Sequence, residues 1–152
     1  MKKTAYILIF LCSLLTWGQN EQLAQNYFDK GEFDKAATLL DEIVKKQPNN
    51  TFFVQKLAAS YQQLQQYSKA DQLLTEKYNQ YKLPSYLVEL GYNYQLQKNQ
   101  SKADSYYEKA FKEIEKNANY AYSIAQVFEQ KTLLQWAYKS YEAGQKANPN
   151  MN

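Results

Sequence analysis

Residues 23–48 read LAQNYFDKGEFDKAATLLDEIVKKQP, and the pattern of this segment returns along the rest of the chain. Its marker is an aromatic residue followed nine positions later by alanine, first at Tyr27 and Ala36. The equivalent alanines are Ala36, Ala70, Ala103 and Ala137, spaced by 34, 33 and 34 residues. Self-similarity at a fixed period of this length is the signature of a repeat architecture. The chain is therefore predicted to contain four copies of one structural unit.

Each copy predicts two helices joined by a short turn. In the second copy, apolar residues recur at spacings of three and four across residues 53–64, stop at Gln65 and Gln66, and resume across residues 67–78. That spacing places apolar side chains on one face of a helix, and a short connection makes the two helices antiparallel neighbours. The 152 residues include only four glycines and three prolines, few for a fold rich in β-turns. The predicted fold class is all-α.

A small residue precedes each leading aromatic residue by three positions, which predicts close packing of the two helices in every copy. These residues are Ala24, Ala58, Gly91 and Ala125, and we expect them to face Ala36, Ala70, Ala103 and Ala137. Leucine at any of these positions is expected to overpack the interface at a cost of roughly 1–3 kcal/mol. Gly31 is expected to end the first helix in a left-handed cap.

The pattern resembles the tetratricopeptide repeat, a helix–turn–helix unit with small residues in both helices and an aromatic residue between them. The resemblance spans residues 19–150 and departs from the family pattern at Lys77, Gln100 and Gly144. It implies a right-handed superhelix, an α-solenoid whose first helices line a concave binding groove. The predicted repeats are residues 19–50, 51–84, 85–117 and 118–152, the last with an incomplete C-terminal end.

Residues 1–18 are typical of a bacterial secretory signal peptide. Two lysines precede an apolar run over residues 5–15, and a cleavage site is expected before Gln19. The run is far shorter than the roughly 20 residues that a membrane-spanning helix needs, so no stable transmembrane span is expected. Cys12 lies inside the apolar run and not after a small residue, which argues against lipidation. We predict export to the periplasm or cell envelope, or secretion.

The composition disfavours most catalytic and metal chemistry. The chain has no histidine, and its single cysteine lies in the predicted leader, so imidazole and thiolate ligands are not available to the mature chain. Neighbouring carboxylates such as Glu113 and Glu115 point in different directions on a helix. Lysines alternate with acidic residues, whereas a phosphate-tracking surface clusters its cations. The sequence therefore predicts no catalytic, cofactor-binding or metal site and no nucleic-acid partner.

The predicted groove is neutral, rich in amides and aromatic. In the register of the resemblance its lining residues are Gln25, Phe28, Gln55, Gln62, Gln63, Tyr92, Gln95, Tyr122, Gln126 and Gln130. Glutamine offers a donor and an acceptor to a peptide backbone, and tyrosine offers contact area with a polar tip. The alternative is that these glutamines are ordinary surface helix formers and that the aromatic residues fill gaps between repeats.

One subclass of the family binds the anionic C-terminal tail of a partner protein at defined groove positions. Those positions here carry Glu21, Gln25, Lys56, Ser85 and Glu89. Two carboxylates would repel such a tail, which disfavours a carboxylate clamp.

The sequence leads to three functional hypotheses. The first is a non-catalytic adaptor or scaffold of the bacterial cell envelope that binds an extended protein or peptide segment in the groove. The second is a structural oligomerisation module, the N-terminal part of a longer repeat protein, that self-associates through the apolar residues Trp136, Tyr138 and Tyr141 of its last helix. The third is contact with cell-wall glycan through the tyrosines and glutamines of the groove, because aromatic rings also stack on sugars.

Overall fold

The computed structural model describes residues 19–148, and within them the chain is entirely helical between its turns. Eight helices lie in this described part: α1 at 19–29, α2 (Phe33–Lys46), α3 (Thr51–Gln63), α4 (Tyr67–Tyr81), α5 (Ser85–Leu96), α6 (Gln100–Lys116), α7 (Tyr120–Gln130) and α8 (Leu134–Ala147). The all-α fold predicted from the sequence is confirmed. The predicted leader, with Cys12, and the C-terminal residues 149–152 lie outside the described residues.

The chain divides into two compact units, and the division falls between α3 and α4. The described part of the N-terminal unit is residues 19–66 and that of the C-terminal unit is residues 67–148. In the C-terminal unit, α5 packs on α6 and α7 packs on α8, while α5 also contacts α7 and α6 also contacts α8. Like helices of successive pairs are therefore neighbours, as a stack of repeats requires.

The small residues of the repeat are buried, as their spacing predicts. The seven alanines at these positions expose 3% of their surface or less. The tightest approach is at Gly91 on α5, where an added Cβ would lie 2.3 Å from Cε1 of Tyr107 and 3.1 Å from the carbonyl oxygen of Ala103. Glycine is thus needed here to let α6 and the Tyr107 ring close onto α5.

Aromatic rings fill the space between the last two helix pairs. The ring of Tyr107 on α6 lies 5.1 Å from the centroids of both Phe128 and Trp136, and the latter two rings stack at 5.8 Å. Tyr107 and Phe128 are fully buried. Trp136 is half-buried and packs against the apolar core, which is the packing role expected of an aromatic residue at this place in a repeat.

The turn inside every copy has the same backbone geometry. One residue of each of these four turns lies in the left-handed region, with φ between 56° and 76°: Gly31, Gln65, Lys98 and Thr132. The next residue in each copy donates its N–H to the carbonyl of the leading aromatic residue at 2.8–3.0 Å, at Glu32–Tyr27, Gln66–Tyr61, Asn99–Tyr94 and Leu133–Phe128. This is the Schellman motif that closes helices. The cap predicted at Gly31 is confirmed, and three side-chain-bearing residues adopt it as well.

Candidate functional site

A stripe of accessible side chains runs along α7. Tyr122, Gln126 and Gln130 are four residues apart and therefore share one face of the helix, and all three are exposed, Tyr122 by 63%. The opposite face carries the buried Ile124 and Phe128 that anchor α7 in the core. We call Tyr122, Gln126 and Gln130 the α7 stripe. Its rigid, half-apolar, half-polar surface comes directly from the amphipathic pattern of the helix.

Tyr141 borders the α7 stripe from the neighbouring helix. Its ring lies 6.3 Å from that of Tyr122, tilted by 57°, and its hydroxyl donates to Oε1 of Glu129 at 3.2 Å. Partial burial and this hydrogen bond raise the pKa of the Tyr141 phenol. Two adjacent tyrosine rings at the surface offer a ligand a continuous aromatic contact with polar tips.

On α5, the predicted site residue Tyr92 lies beside a buried ion pair. Nζ of Lys131 is 3.0 Å from Oε2 of Glu89, with only 11% and 1% of the two side chains exposed, and the same Nζ stands 5.0 Å from the Tyr92 ring centroid. The Glu89 charge is thus compensated within the C-terminal unit. Lys131, which follows α7, was missed by sequence reasoning because no local pattern links it to a carboxylate so distant along the chain.

The side chain of Gln95 on α5 forms a hydrogen bond within the fold. Its Oε1 accepts a hydrogen bond from the hydroxyl of Tyr107 at 2.9 Å, and the next copy repeats this link with Glu129 and Tyr141. This hydrogen bond occupies one of the two acceptor positions of the amide oxygen and fixes the orientation of the half-buried side chain.

The N-terminal unit gathers a cation and two phenylalanines. Nζ of Lys56 on α3 lies 4.2 Å from the ring centroid of Phe28 on α1 and 5.3 Å from that of Phe52. Partial burial lowers the pKa of Lys56, with Asp29 acting in the opposite sense. The predicted groove residue Phe28 is therefore half-buried beneath the Lys56 ammonium group.

The predicted amides of the N-terminal unit differ in accessibility. Gln63 is exposed and Gln55 is half-buried, while Nε2 of Gln25 donates to Oδ1 of Asp29 at 2.6 Å. Gln62 departs from the prediction, because only 4% of its surface is exposed. It lies four residues after the fully buried Ala58 and so falls on the packed face of α3. Among the described residues its Nε2 has no hydrogen-bond partner.

Two further properties of the described residues concern the site's chemistry. In residues 19–148 no group of three or more acidic, histidine or cysteine side chains could hold a metal ion. No helix in the same range is long and apolar enough to cross a membrane. The arrangement provides exposed rings, amides and a few balanced charges, which are the groups of a contact surface.

The fold is similar to that of MamA. A crystal structure of MamA, a tetratricopeptide-repeat protein, superposes with a TM-score of 0.52 at 19% identity, covering 84% of this chain and 75% of that one. The double mutant MamA RS-1 ArsTM gives a TM-score of 0.51 at 16% identity, covering 88% and 75%. No protein-family model and no curated protein sequence matches the chain. The likeness to MamA supports the tetratricopeptide-type array at the level of fold.

Proposed function

We propose that this chain is a non-catalytic scaffold of the bacterial cell envelope that binds an extended polypeptide segment along the first helices of its repeats. The fold supports a protein-binding role, because stacked helix pairs offer long continuous surfaces. The observation that carries the proposal is the α7 stripe, where Tyr122, Gln126 and Gln130 stay exposed on one helix face. None of the three side chains serves as a core residue.

The chemistry of the α7 stripe suits a peptide backbone. Each glutamine offers an amide donor and a carbonyl acceptor, so consecutive glutamines match the alternating C=O and N–H groups of an extended chain. The Tyr122 ring adds apolar contact at a low cost in conformational entropy. The stripe carries no formal charge, so the partner segment need not be charged where it crosses α7.

The envelope location in the proposal rests on the sequence of residues 1–18. A basic start, an apolar run of 11 residues and a small residue before Gln19 are the features of an exported precursor. Fractionation of the native cells, with N-terminal sequencing of the mature protein, tests this part. A protein that begins at Gln19 and appears with the periplasmic or membrane fraction supports it, and a cytoplasmic protein that retains Met1 overturns it.

The binding role is tested by a cross-linked pull-down from the native envelope with a Tyr122→Ala, Gln126→Ala double variant. Tyr138→Ala is the comparison variant, because Tyr138 is 64% exposed, close to the 63% of Tyr122, and lies on α8, so that loss of the partner in this variant would point to the α8 surface instead. We expect a partner that the wild type and the comparison variant recover and the double variant loses. Equal recovery by the double variant refutes binding at the α7 stripe. Binding to purified cell-wall material that requires Tyr122 would instead support the glycan hypothesis.

Self-association is a second candidate function, favoured by the surface of α8. Leu134 and Tyr138 lie one helical turn apart and expose 66% and 64% of their surfaces. Tyr141 is half-buried, whereas the equivalent Tyr107 is covered completely by the rings of the following helix pair. Sedimentation velocity of the wild type and of a Leu134→Ser, Tyr138→Ser variant decides this case. A concentration-dependent oligomer that the variant abolishes supports it, and a monomer at all concentrations excludes it.

A further inference from the structure

A second surface lies away from the α7 stripe, on the second helices of the repeats. In the C-terminal unit, α4 and α6 flank a cleft of about 530 Å³. Leu87 and Leu90 of α5 form its floor, and the rings of Tyr78 and Tyr106 line its sides. The cleft is therefore apolar at the bottom and aromatic on both walls.

Three lysines of α6 line the same cleft. Lys109, Lys112 and Lys116 are spaced by three and four residues, so they share one face of the helix. The remaining lining residues on α4, Thr75 and Asn79, are uncharged. The α6 wall thus supplies three cations and one carboxylate, Glu113, and the α4 wall supplies no charge.

Only part of this positive charge is neutralised within the chain. Lys116 pairs with Glu113 at 2.7 Å, and this contact raises the pKa of the Lys116 ammonium group. Nζ of Lys109 lies 4.8 Å from the Tyr106 ring centroid, a cation–π contact that leaves its charge uncompensated. Among the described residues, neither Lys109 nor Lys112 has an acidic partner within ion-pair distance. Two ammonium groups therefore face the cleft with free charge.

We propose that this cleft, formed by α4, α5 and α6, binds an acidic peptide segment. Its carboxylates contact Lys109 and Lys112, and an apolar side chain between them enters the cleft toward Leu87 and Leu90. Opposite charges steer such a partner to the surface and fix its register. A peptide fits better than a lipid bilayer, because an extended segment follows a concave cleft between two helices and a planar membrane surface does not.

Fluorescence anisotropy tests the proposal with a fluorescein-labelled peptide of glutamates around a central leucine pair. The test variant is Lys109→Gln, Lys112→Gln, and the matched control is Lys30→Gln, Lys98→Gln, which removes the same charge at two exposed positions outside the cleft. We expect the cleft variant to bind about tenfold more weakly, equivalent to about 1.4 kcal/mol. The control should stay within about twofold of the wild type, and high salt should weaken wild-type binding.

Several outcomes overturn the proposal. Equal weakening by the two variants means that net charge and not the cleft attracts the peptide. Equal affinity for a peptide in which glutamine replaces every glutamate removes the role of the carboxylates. Absence of saturable binding below about 1 mM, where binding is worth only about 4 kcal/mol, refutes the site. Stronger retention on phosphatidylglycerol vesicles, lost with the same lysines, assigns the surface to lipid. A Tyr122→Ala variant should bind the acidic peptide normally, which separates this test from that of the α7 stripe.

Discussion

Substitution of Gly91 by alanine should destabilise the protein even though alanine is the better helix former. The new Cβ would stand 2.3 and 2.5 Å from Cε1 and Cδ1 of Tyr107, where carbon atoms in contact are about 3.5–4.0 Å apart. The Tyr107 ring cannot move freely, because Phe128 and Trp136 pack against it and its hydroxyl donates to Gln95. The clash must therefore be relieved by displacing a ring that is fully buried.

The expected magnitude follows from three contributions. Overpacking costs roughly 1–3 kcal/mol, and losing the Tyr107–Gln95 hydrogen bond costs about 0.5–1.5 kcal/mol. The gain in helix propensity from glycine to alanine offsets about 1 kcal/mol. Gly91→Ala should thus lower the free energy of unfolding by about 2 kcal/mol, measured by urea denaturation followed by far-ultraviolet circular dichroism.

A second substitution makes the reasoning refutable. The first copy has Ala24 and Leu40 where the third has Gly91 and Tyr107, in both cases 16 residues apart. Tyr107→Leu should therefore be less harmful in the Gly91→Ala background than alone, with a coupling energy of at least about 1 kcal/mol in a double-mutant cycle. A Gly91→Ala variant as stable as the wild type, or strictly additive effects of the two substitutions, would show that the close approach of α5 and α6 does not select glycine.

Three further predictions concern other parts of the fold. Thr132→Gly should raise the free energy of unfolding by about 0.5–1 kcal/mol. It removes the cost of holding a side-chain-bearing residue in the left-handed region, roughly 1–2 kcal/mol, and adds the entropy cost of glycine, roughly 0.5–1 kcal/mol. Thermal melting measures this difference, and no gain over Thr132→Ala would contradict the prediction. Lys131→Met should lower the free energy of unfolding by about 3–5 kcal/mol, because it leaves the buried Glu89 charge unpaired. Adding Glu89→Leu should restore much of the lost stability. A double variant that is less stable than Lys131→Met alone would contradict the role of the ion pair. Burial raises the pKa of Tyr86 to about 12, above the unfolded value of about 10. The contribution of Tyr86 to stability is therefore full below pH 10 and falls toward pH 12 by about 1.4 kcal/mol per pH unit. Burial raises the pKa of Tyr107 as well, so Tyr86→Phe should reduce the slope in denaturation series at alkaline pH without abolishing it, and an unchanged slope would place the titration elsewhere.

The fold was predictable because its determinants are local and repeated. The period set by Ala36, Ala70, Ala103 and Ala137 identifies the helix pairs, and spacings of three and four identify their buried faces. Gly31 identified one turn because glycine is the usual left-handed residue. The turns at Gln65, Lys98 and Thr132 follow from the repeat alone, since their side chains give no signal for a positive φ.

The candidate site was predictable only in part, because accessibility depends on contacts that periodicity does not encode. The α7 stripe kept the exposure expected of it, whereas Gln62 is buried on the packed face of α3 and Gln95 is engaged with Tyr107. The Glu89–Lys131 pair joins residues far apart in the chain, and only tertiary packing brings them together. In the sequence the lysines of α6 alternate with acidic residues like those of the other helices, and only the adjacent apolar cleft distinguishes them in the structure.

The most direct test of the binding role is photo-cross-linking in the native cell with benzoylphenylalanine at position 126 of the α7 stripe. Position 108 on α6 is the control, because Glu108 is also solvent-exposed but lies outside both proposed surfaces. The account predicts a discrete cross-linked polypeptide from position 126 and not from position 108, with the modified partner residues mapping by mass spectrometry to one short segment. No polypeptide cross-linked at position 126, or only cross-links to a second copy of this chain, would contradict it.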